Sequence, residues 1–255
     1  MKKLLSILIL SAVVFSACNH PEPTPYDNLA PQQQQWAIVY NYTGSWCQYC
    51  GKWGVAAMRD AVNVGNTVGL VIKVQSDPQA VNTSLLNSFL SDRRYSGVPA
   101  FFVGNHMEDV QNRAANFCRQ DIVGHCSMGI DMAQEIEGNT MKVYVKTKNF
   151  DEIPNIHDYY IVAYLLEDGL HYQQNGSSDP DPVHNFVLRK TSSGTDYFGT
   201  QFFTDGALDA EYTHTFTFDL TGYNAANCYA AVAVYQKNAA GSPNYKYVNS
   251  HWTRK

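Results

Sequence analysis

"YNYTGSWCQYCGKWG", residues 40–54, sets two cysteines three positions apart between an apolar run and a helical pattern. Upstream, Trp36 to Tyr42 (WAIVYNY) reads as a strand; downstream, Tyr49 to about Val62 has helical spacing through Trp53, Ala56, Ala57 and Met58. Cys47-Gln48-Tyr49-Cys50 therefore falls at a strand-to-helix turn. Three chemistries fit the spacing: a working thiol pair, half of a metal site, or a disulfide that only holds the chain together.

The compartment bears on that choice. Lys2 and Lys3 precede an apolar stretch from Leu4 to Val14, interrupted only by Ser6 and Ser11 and followed by Phe15-Ser16-Ala17-Cys18, the layout of a bacterial secretion signal over residues 1–17. The stretch is too short to span a bilayer as a mature helix. Small residues directly before Cys18 resemble the lipobox of bacterial lipoproteins, which implies that Cys18 is acylated and inserts into the lipid bilayer; ordinary secretion with a chance cysteine is the alternative. Two acyl chains give stable anchoring where one is marginal. From Asn19 to Gln35, prolines and glutamines replace apolar residues, so residues 18–35 are expected to form the lipidated start and a tether.

The 255 residues, 45% hydrophobic and 16% charged, suffice for one large or two ordinary domains. Removing the signal moves the formal charge from −5 to −7, which argues against nucleic acid and against an electrostatic hold on anionic lipid. Seventeen tyrosines and 12 phenylalanines suit a chain rich in strands.

Beyond the cysteines, Val68 to Val74 (VGLVIKV) reads as a buried parallel strand, Pro78 to about Arg93 as a helix, and "YSGVPAFFVGN" as a strand opening at Pro99 and closing in a Gly-Asn turn. Glu108 to about Ile122 reads as a further helix. A strand, a Trp-Cys-x-x-Cys at the head of a helix, and Gly97-Val98-Pro99-Ala100 opening a later strand resemble the thioredoxin fold. The resemblance implies an α/β thioredoxin-like domain over residues 36–126, with Pro99 cis and facing the cysteines.

Physical chemistry gives the cysteines separate roles. Cys47, at the helix start, meets orphan N–H groups and the positive end of the dipole, which lower a thiol pKa and make the attacking thiolate. Cys50, one turn inward, is the resolving thiol. Pro99, lacking an N–H, leaves the backbone at Val98 free to pair with an extended client peptide, and the resemblance implies that Trp46 flanks the nucleophile on the same surface. Asn41 stands where thioredoxins usually bury an aspartate, so the resolving step lacks that base unless water or Lys52 substitutes. Gln48-Tyr49 matches neither reducing thioredoxins nor strong periplasmic oxidants, and leaves the direction of electron flow open. Neither metal nor organic cofactor is expected: the eight histidines include no HExxH, and no second CxxC exists.

From about Ser127 to Lys255 the period changes. "MGIDMAQEIEGNTMKVYVKTKNF" alternates on both sides of a Gly-Asn turn, and five further strand candidates follow between Gly, Pro, Asn and Ser clusters. They suggest an all-β immunoglobulin-like sandwich domain over residues 127–255. Lipobox, tether, Thr43-Gly44-x-x-Cys47-x-x-Cys50, Leu166-Glu167-Asp168-Gly169, Gln174 and His184-Asn185-x-Val187-Leu188-Arg189 together resemble an outer-membrane lipoprotein family of Bacteroidota. That resemblance implies an envelope address, with the periplasmic face favoured because only Glu22 and Asp27 follow Cys18 as acids.

Two functions follow. One is an envelope-anchored thiol-disulfide oxidoreductase acting on exported proteins; the other is a binding or adhesion lipoprotein with an inert Cys47–Cys50 disulfide. Several residues receive plainer readings. His184, Asn185 and Arg189 suit either a polar ligand site or, more plainly, a strand whose alternate side chains face a core while Arg189 pairs with Glu167 or Asp168; "NGSSDPDP", residues 175–182, lacks the spaced oxygen ligands of a calcium site and reads as a solvated loop. Cys118 and Cys126 lie about 12 Å apart on one straight helix, beyond disulfide reach, unless the chain turns at Gly124. Cys228 is the odd thiol, buried in the sandwich core.

Overall fold

A computed structural model describes residues 23–203 and 205–254. The signal segment, Cys18 and Glu22 lie outside the described residues. In chain order the elements are β1 (Ala37–Thr43), a π-helical turn (Cys50–Gly54) running straight into α1 (Val55–Val62), β2 (Thr67–Lys73), α2 (Thr83–Asp92), β3 (Ala100–Val103) and α3 (Ala114–Asp121). There follow β4 (Met128–Glu137), β5 (Thr140–Asn149), β6 (Tyr159–Glu167), β7 (Leu170–His171), β8 (Val183–His184), β9 (Val187–Thr191), β10 (Thr200–Gln201), β11 (Glu211–Asp219), β12 (Cys228–Lys237) and β13 (Tyr245–Trp252).

Local sequence accounts for most of these elements. Asn82 caps α2 by accepting from the Leu85 N–H at 2.8 Å, so the helix begins several residues after Pro78. Gly138, at positive φ, closes the β4–β5 hairpin where the Gly-Asn pair stands. Strands β1 and β2 are buried along their full length, as an apolar run without polar alternation requires.

The pairing of the strands overturns the expected fold class. Strands dominate, and no separate α/β thioredoxin-like domain precedes a separate immunoglobulin-like sandwich. Instead β13-β12-β6-β9-β2-β1-β3 form one path of an eight-stranded mixed sheet, with β10 beside β6. The sheet thus crosses residue 127 and takes its strands from both halves of the chain. Only β11-β5-β4 make a second layer of any size. The reason lies in β6 and β12: nearly every residue on both of their faces is buried, so each needs cover on both sides and a strand on each edge. A sandwich strand with one face in water does not meet that need.

One face of the large sheet packs on α2 through Tyr40, Leu70, Leu86, Phe89, Tyr164 and Tyr235. The Tyr235 hydroxyl meets those of Tyr40 at 2.7 Å and Tyr164 at 2.8 Å, and the buried Arg93 guanidinium sits 4.3 Å over the Tyr40 ring. The other face is covered twice: α1 and α3 lie on β1–β3, while β4, β5 and β11 lie on β6 and β12. Each Val, Leu or Ile fully buried in these layers contributes about 1.5–3 kcal/mol relative to exposure.

The segment expected as a tether is packed on the body where it is described. Leu29 is buried, the Ala30 N–H donates to Asp131 at 2.8 Å, and Gln35 Nε2 donates to the Val248 carbonyl at 2.9 Å. The backbone at Gln32 passes so close to Gly129 that any side chain there would collide with it. Glutamine-rich sequence lacks apolar surface but carries amides, and these amides tie it down.

Candidate functional site

Cys47 and Cys50 form a disulfide with their Cα atoms 5.2 Å apart. The pair stands where β1 hands over to the helical segment, and the Cys50 N–H donates to Cys47 Sγ at 3.1 Å. That N–H belongs to the unpaired first turn and favours a thiolate at Cys47 once the bond is reduced. Cys50 is fully buried and Cys47 keeps 6% exposure, so the outer position of Cys47 is a matter of degree.

The expected neighbours assemble around the pair. The Val98 carbonyl oxygen lies 3.2 Å from Cys47 Sγ, and the Val98–Pro99 bond is cis. The Pro99 ring fills the space beside Gly54 where a side chain would stand, next to Cys50. Trp46 and Tyr49 are exposed and Gln48 lies beside them on the surface, giving an aromatic rim. Asn41 is buried on β1, and its Oδ1 has no partner among the described residues. Lys52 is exposed and makes no hydrogen bond among the described residues, so the structure does not bring it beneath Cys50.

Sequence reasoning missed what covers the cysteine loop. Gln174 Nε2 reaches the Cys47 carbonyl at 3.0 Å and that of Gly44 at 3.2 Å; the Asn175 N–H donates to Ser45 O at 2.7 Å and Asn175 Nδ2 to Trp46 O at 3.0 Å. Residues 175–177 pass so near Gly51 and Gln48 that both Gly51 and Gly176 are held to glycine by contact with backbone. From the other side, Asp77 accepts the Ser45 N–H at 2.6 Å. Gln174 had appeared only as a feature shared with a family, without a role.

A second missed cluster adjoins the loop. Lys73, on β2, is 1% exposed, lies 4.0 Å from Asp77 Oδ2 and bonds to His184 Nδ1 at 3.1 Å. Burial lowers the Lys73 ammonium to about 8, against the opposing pull of Asp77. Burial, then Lys73, lowers His184 to about 4. His184 Nε2 meets the Tyr172 carbonyl at 3.0 Å while the Tyr172 ring stacks on it at 3.8 Å. Since a carbonyl only accepts, Nε2 carries the hydrogen, and Nδ1 accepts from Lys73. The visible signal was one lysine inside the apolar run VGLVIKV.

The plainer readings divide. Arg189 pairs with Glu167 at 3.3 Å, while Asp168 takes Arg254 at 2.8 Å. Asn185 Oδ1 accepts the Gly169 N–H at 2.9 Å. Cys118, Cys126 and Cys228 are free and buried; burial pushes their thiols up to about 12, 11 and 12, which keeps them protonated and poorly nucleophilic at neutral pH. Cys228 lies in the core between the two sheets.

No protein family matches the chain, and no curated protein does. Among solved structures it is similar to HBP35 of Porphyromonas gingivalis, with a TM-score of 0.73 at 15% sequence identity, covering 88% of this chain and 76% of that one. At that identity the likeness concerns the fold alone: this chain shares its arrangement of elements with a protein from a member of the Bacteroidota.

Proposed function

We propose that the protein is an envelope-anchored thiol-disulfide exchange protein, held to the membrane through acylated Cys18, facing the periplasm and acting on exported proteins. The observation that carries this reading is the Cys47–Cys50 disulfide at a helix start, with the Cys50 N–H on Cys47 Sγ and an exposed aromatic rim. In the reduced protein the Cys47 thiolate attacks a client disulfide, forming a mixed disulfide and releasing one client thiolate. Cys50 then loses its proton to solvent and attacks Cys47 Sγ. This closes Cys47–Cys50 and releases the second client thiolate, so two electrons pass to the client. Run backwards, the same steps oxidise a client dithiol. Asn41 cannot take a proton, so no carboxylate at that position assists Cys50.

The cover formed by Gln174 and Asn175, with 6% exposure at Cys47, favours a second reading in which the disulfide is structural and the protein binds partners by other surfaces. The reduction potential separates the two. An exchanging pair falls between about −120 and −270 mV, whereas a structural bond falls below about −300 mV. A value below that limit, with no turnover on a disulfide peptide, sinks the exchange reading. Fatty-acid labelling tests the anchor: wild type is labelled and Cys18→Ala is not, and equal labelling of both overturns it.

A further inference from the structure

At the carboxyl ends of the parallel strands β1 and β2, a cavity of about 400 Å³ opens on the outer face of the sheet. This is where open α/β sheets hold ligands, and the volume is ordinary for a small-molecule site. Its lining is unusual in what is left unpaired. Asn41 and Gln174, 3% and 4% exposed, both line it, and neither Asn41 Oδ1 nor Gln174 Oε1 has a partner among the described residues. Buried polar atoms in folded proteins are nearly always hydrogen-bonded, so two orphan acceptors at one cavity mark places for N–H or O–H donors.

The same cavity holds a cation. Lys73 has three N–H groups, one spent on His184 Nδ1 and one directed at Asp77 from 4.0 Å, which leaves a donor for a guest. Neither nitrogen of His184 is free to bind anything else. Arg254 is taken by Asp168 at 2.8 Å and Arg59 lies 3.8 Å from Asp60, so the third N–H of Lys73 is the positive donor that the lining offers a guest's carboxylate. Met58, Val183 and Phe186 supply an apolar wall.

We infer that this cavity binds a small N-acylated amino acid. The carboxylate sits on Lys73, the amide N–H is held by one of the two orphan oxygens, and the side chain lies on the apolar wall. Occupancy is linked to the redox state of Cys47–Cys50 through Gln174, whose Nε2 holds the Cys47 carbonyl while the same side chain lines the cavity. The site itself goes beyond the exchange reading; only the linkage rests on it.

Calorimetric titration of the full chain with N-acetyl-leucine, and with N-acetyl-leucinamide as its uncharged twin, tests the site. The acid binds at least tenfold tighter than the amide, and Lys73→Met lowers its affinity at least tenfold. Val183→Trp, which blocks the mouth from a partly exposed edge without touching the core, does the same. The inference is overturned if the acid does not bind, if acid and amide bind alike, or if both variants bind as wild type does. For the linkage, the disulfide and dithiol forms differ at least threefold in affinity, and saturating acid shifts the potential by the reciprocal amount, about 30 mV for each tenfold. Equal affinities overturn the linkage. Should exchange activity be absent while the acid binds the oxidised chain, only the exchange reading fails.

Discussion

The outer face of the large sheet is covered in two ways, and the two covered regions carry different residues. Beneath β4, β5 and β11, the outward residues of β6 and β12 are Ile161, Ala163, Leu165, Ala230, Val232 and Val234, all fully buried and apolar. Beneath α1 and α3, the outward residues of β1 run Ala37, Val39, Asn41, Thr43, turning polar toward the carboxyl end, and those of β2 run Thr67, Gly69, Val71, Lys73, ending in a buried charge. Sheet-on-sheet packing seals one region along its length. Short helices leave the strand ends of the other open, and the disulfide, the Lys73–His184 pair and the cavity gather there. Buried polarity in a parallel strand thus marks the end of the molecule where the candidate site lies.

The sharpest test of that contrast is whether thiol chemistry is confined to the helical region. Cys50→Ser is expected to accumulate mixed disulfides through Cys47, seen as bands that vanish on reduction, whereas Cys47→Ser accumulates none. Capture through Cys228, which belongs to the sealed region, would break the comparison.

The sealed region tolerates no charge. Val232→Asp places an unpaired carboxylate between the two sheets and costs more than about 4 kcal/mol in urea unfolding. A loss below about 1 kcal/mol would show that the seal is looser than its burial indicates.

In the open region the acid limb of stability is set by His184. The unfolded imidazole takes its proton near pH 6.5 and the folded one only near pH 4, so between these values the unfolded chain holds the extra proton. Stability is therefore complete above pH 6.5 and is lost as pH falls toward 4, by an amount on the order of 3 kcal/mol. His184→Gln should flatten that limb, as measured by unfolding at stepped pH; an unchanged slope removes His184 as its cause.

The smallest effect is expected at Asn41. Asn41→Val deletes an acceptor that has no partner among the described residues and changes stability by less than about 1 kcal/mol. A loss above about 2 kcal/mol would mean that Asn41 is held as firmly as any core residue, and the polar end would then be structural.

Much of the local structure was legible. The strand at Trp36–Tyr42, the helix after Cys47, the buried run at Val68–Val74, the Gly138-Asn139 hairpin and the later strands all fall within a few residues of their observed places. These follow from period, apolar runs and turn residues, which act over neighbours in the chain. The Pro78–Arg93 helix came out shorter because Asn82 caps it. Helix ends answer to caps that spacing alone does not weigh.

The site was half legible for the same reason. Cys47, Cys50 and Trp46 were recoverable because their spacing is short and distinctive, and Val98 and Pro99 because Gly-Val-Pro-Ala at the start of a later strand resembles the thioredoxin pattern; the structure gathers them. Gln174, Asn175 and His184 were not, because each meets the cysteine loop or Lys73 across a long stretch of chain, and Asp77, though only four residues from Lys73, stood in no pattern that marked it. A polar side chain's partner is chosen by proximity in space, and no periodicity encodes that.

By itself the sequence determined the elements, the cysteine pair at the strand-to-helix turn and the apolar character of each strand. Only the tertiary structure decided that β6, β9, β12 and β13 join β2, β1 and β3 in one sheet, that the glutamine-rich segment lies on the body, and that a loop of the second half covers the disulfide. Strand period depends on side chains two residues apart, whereas strand order depends on which buried faces still need cover once every other element is in place.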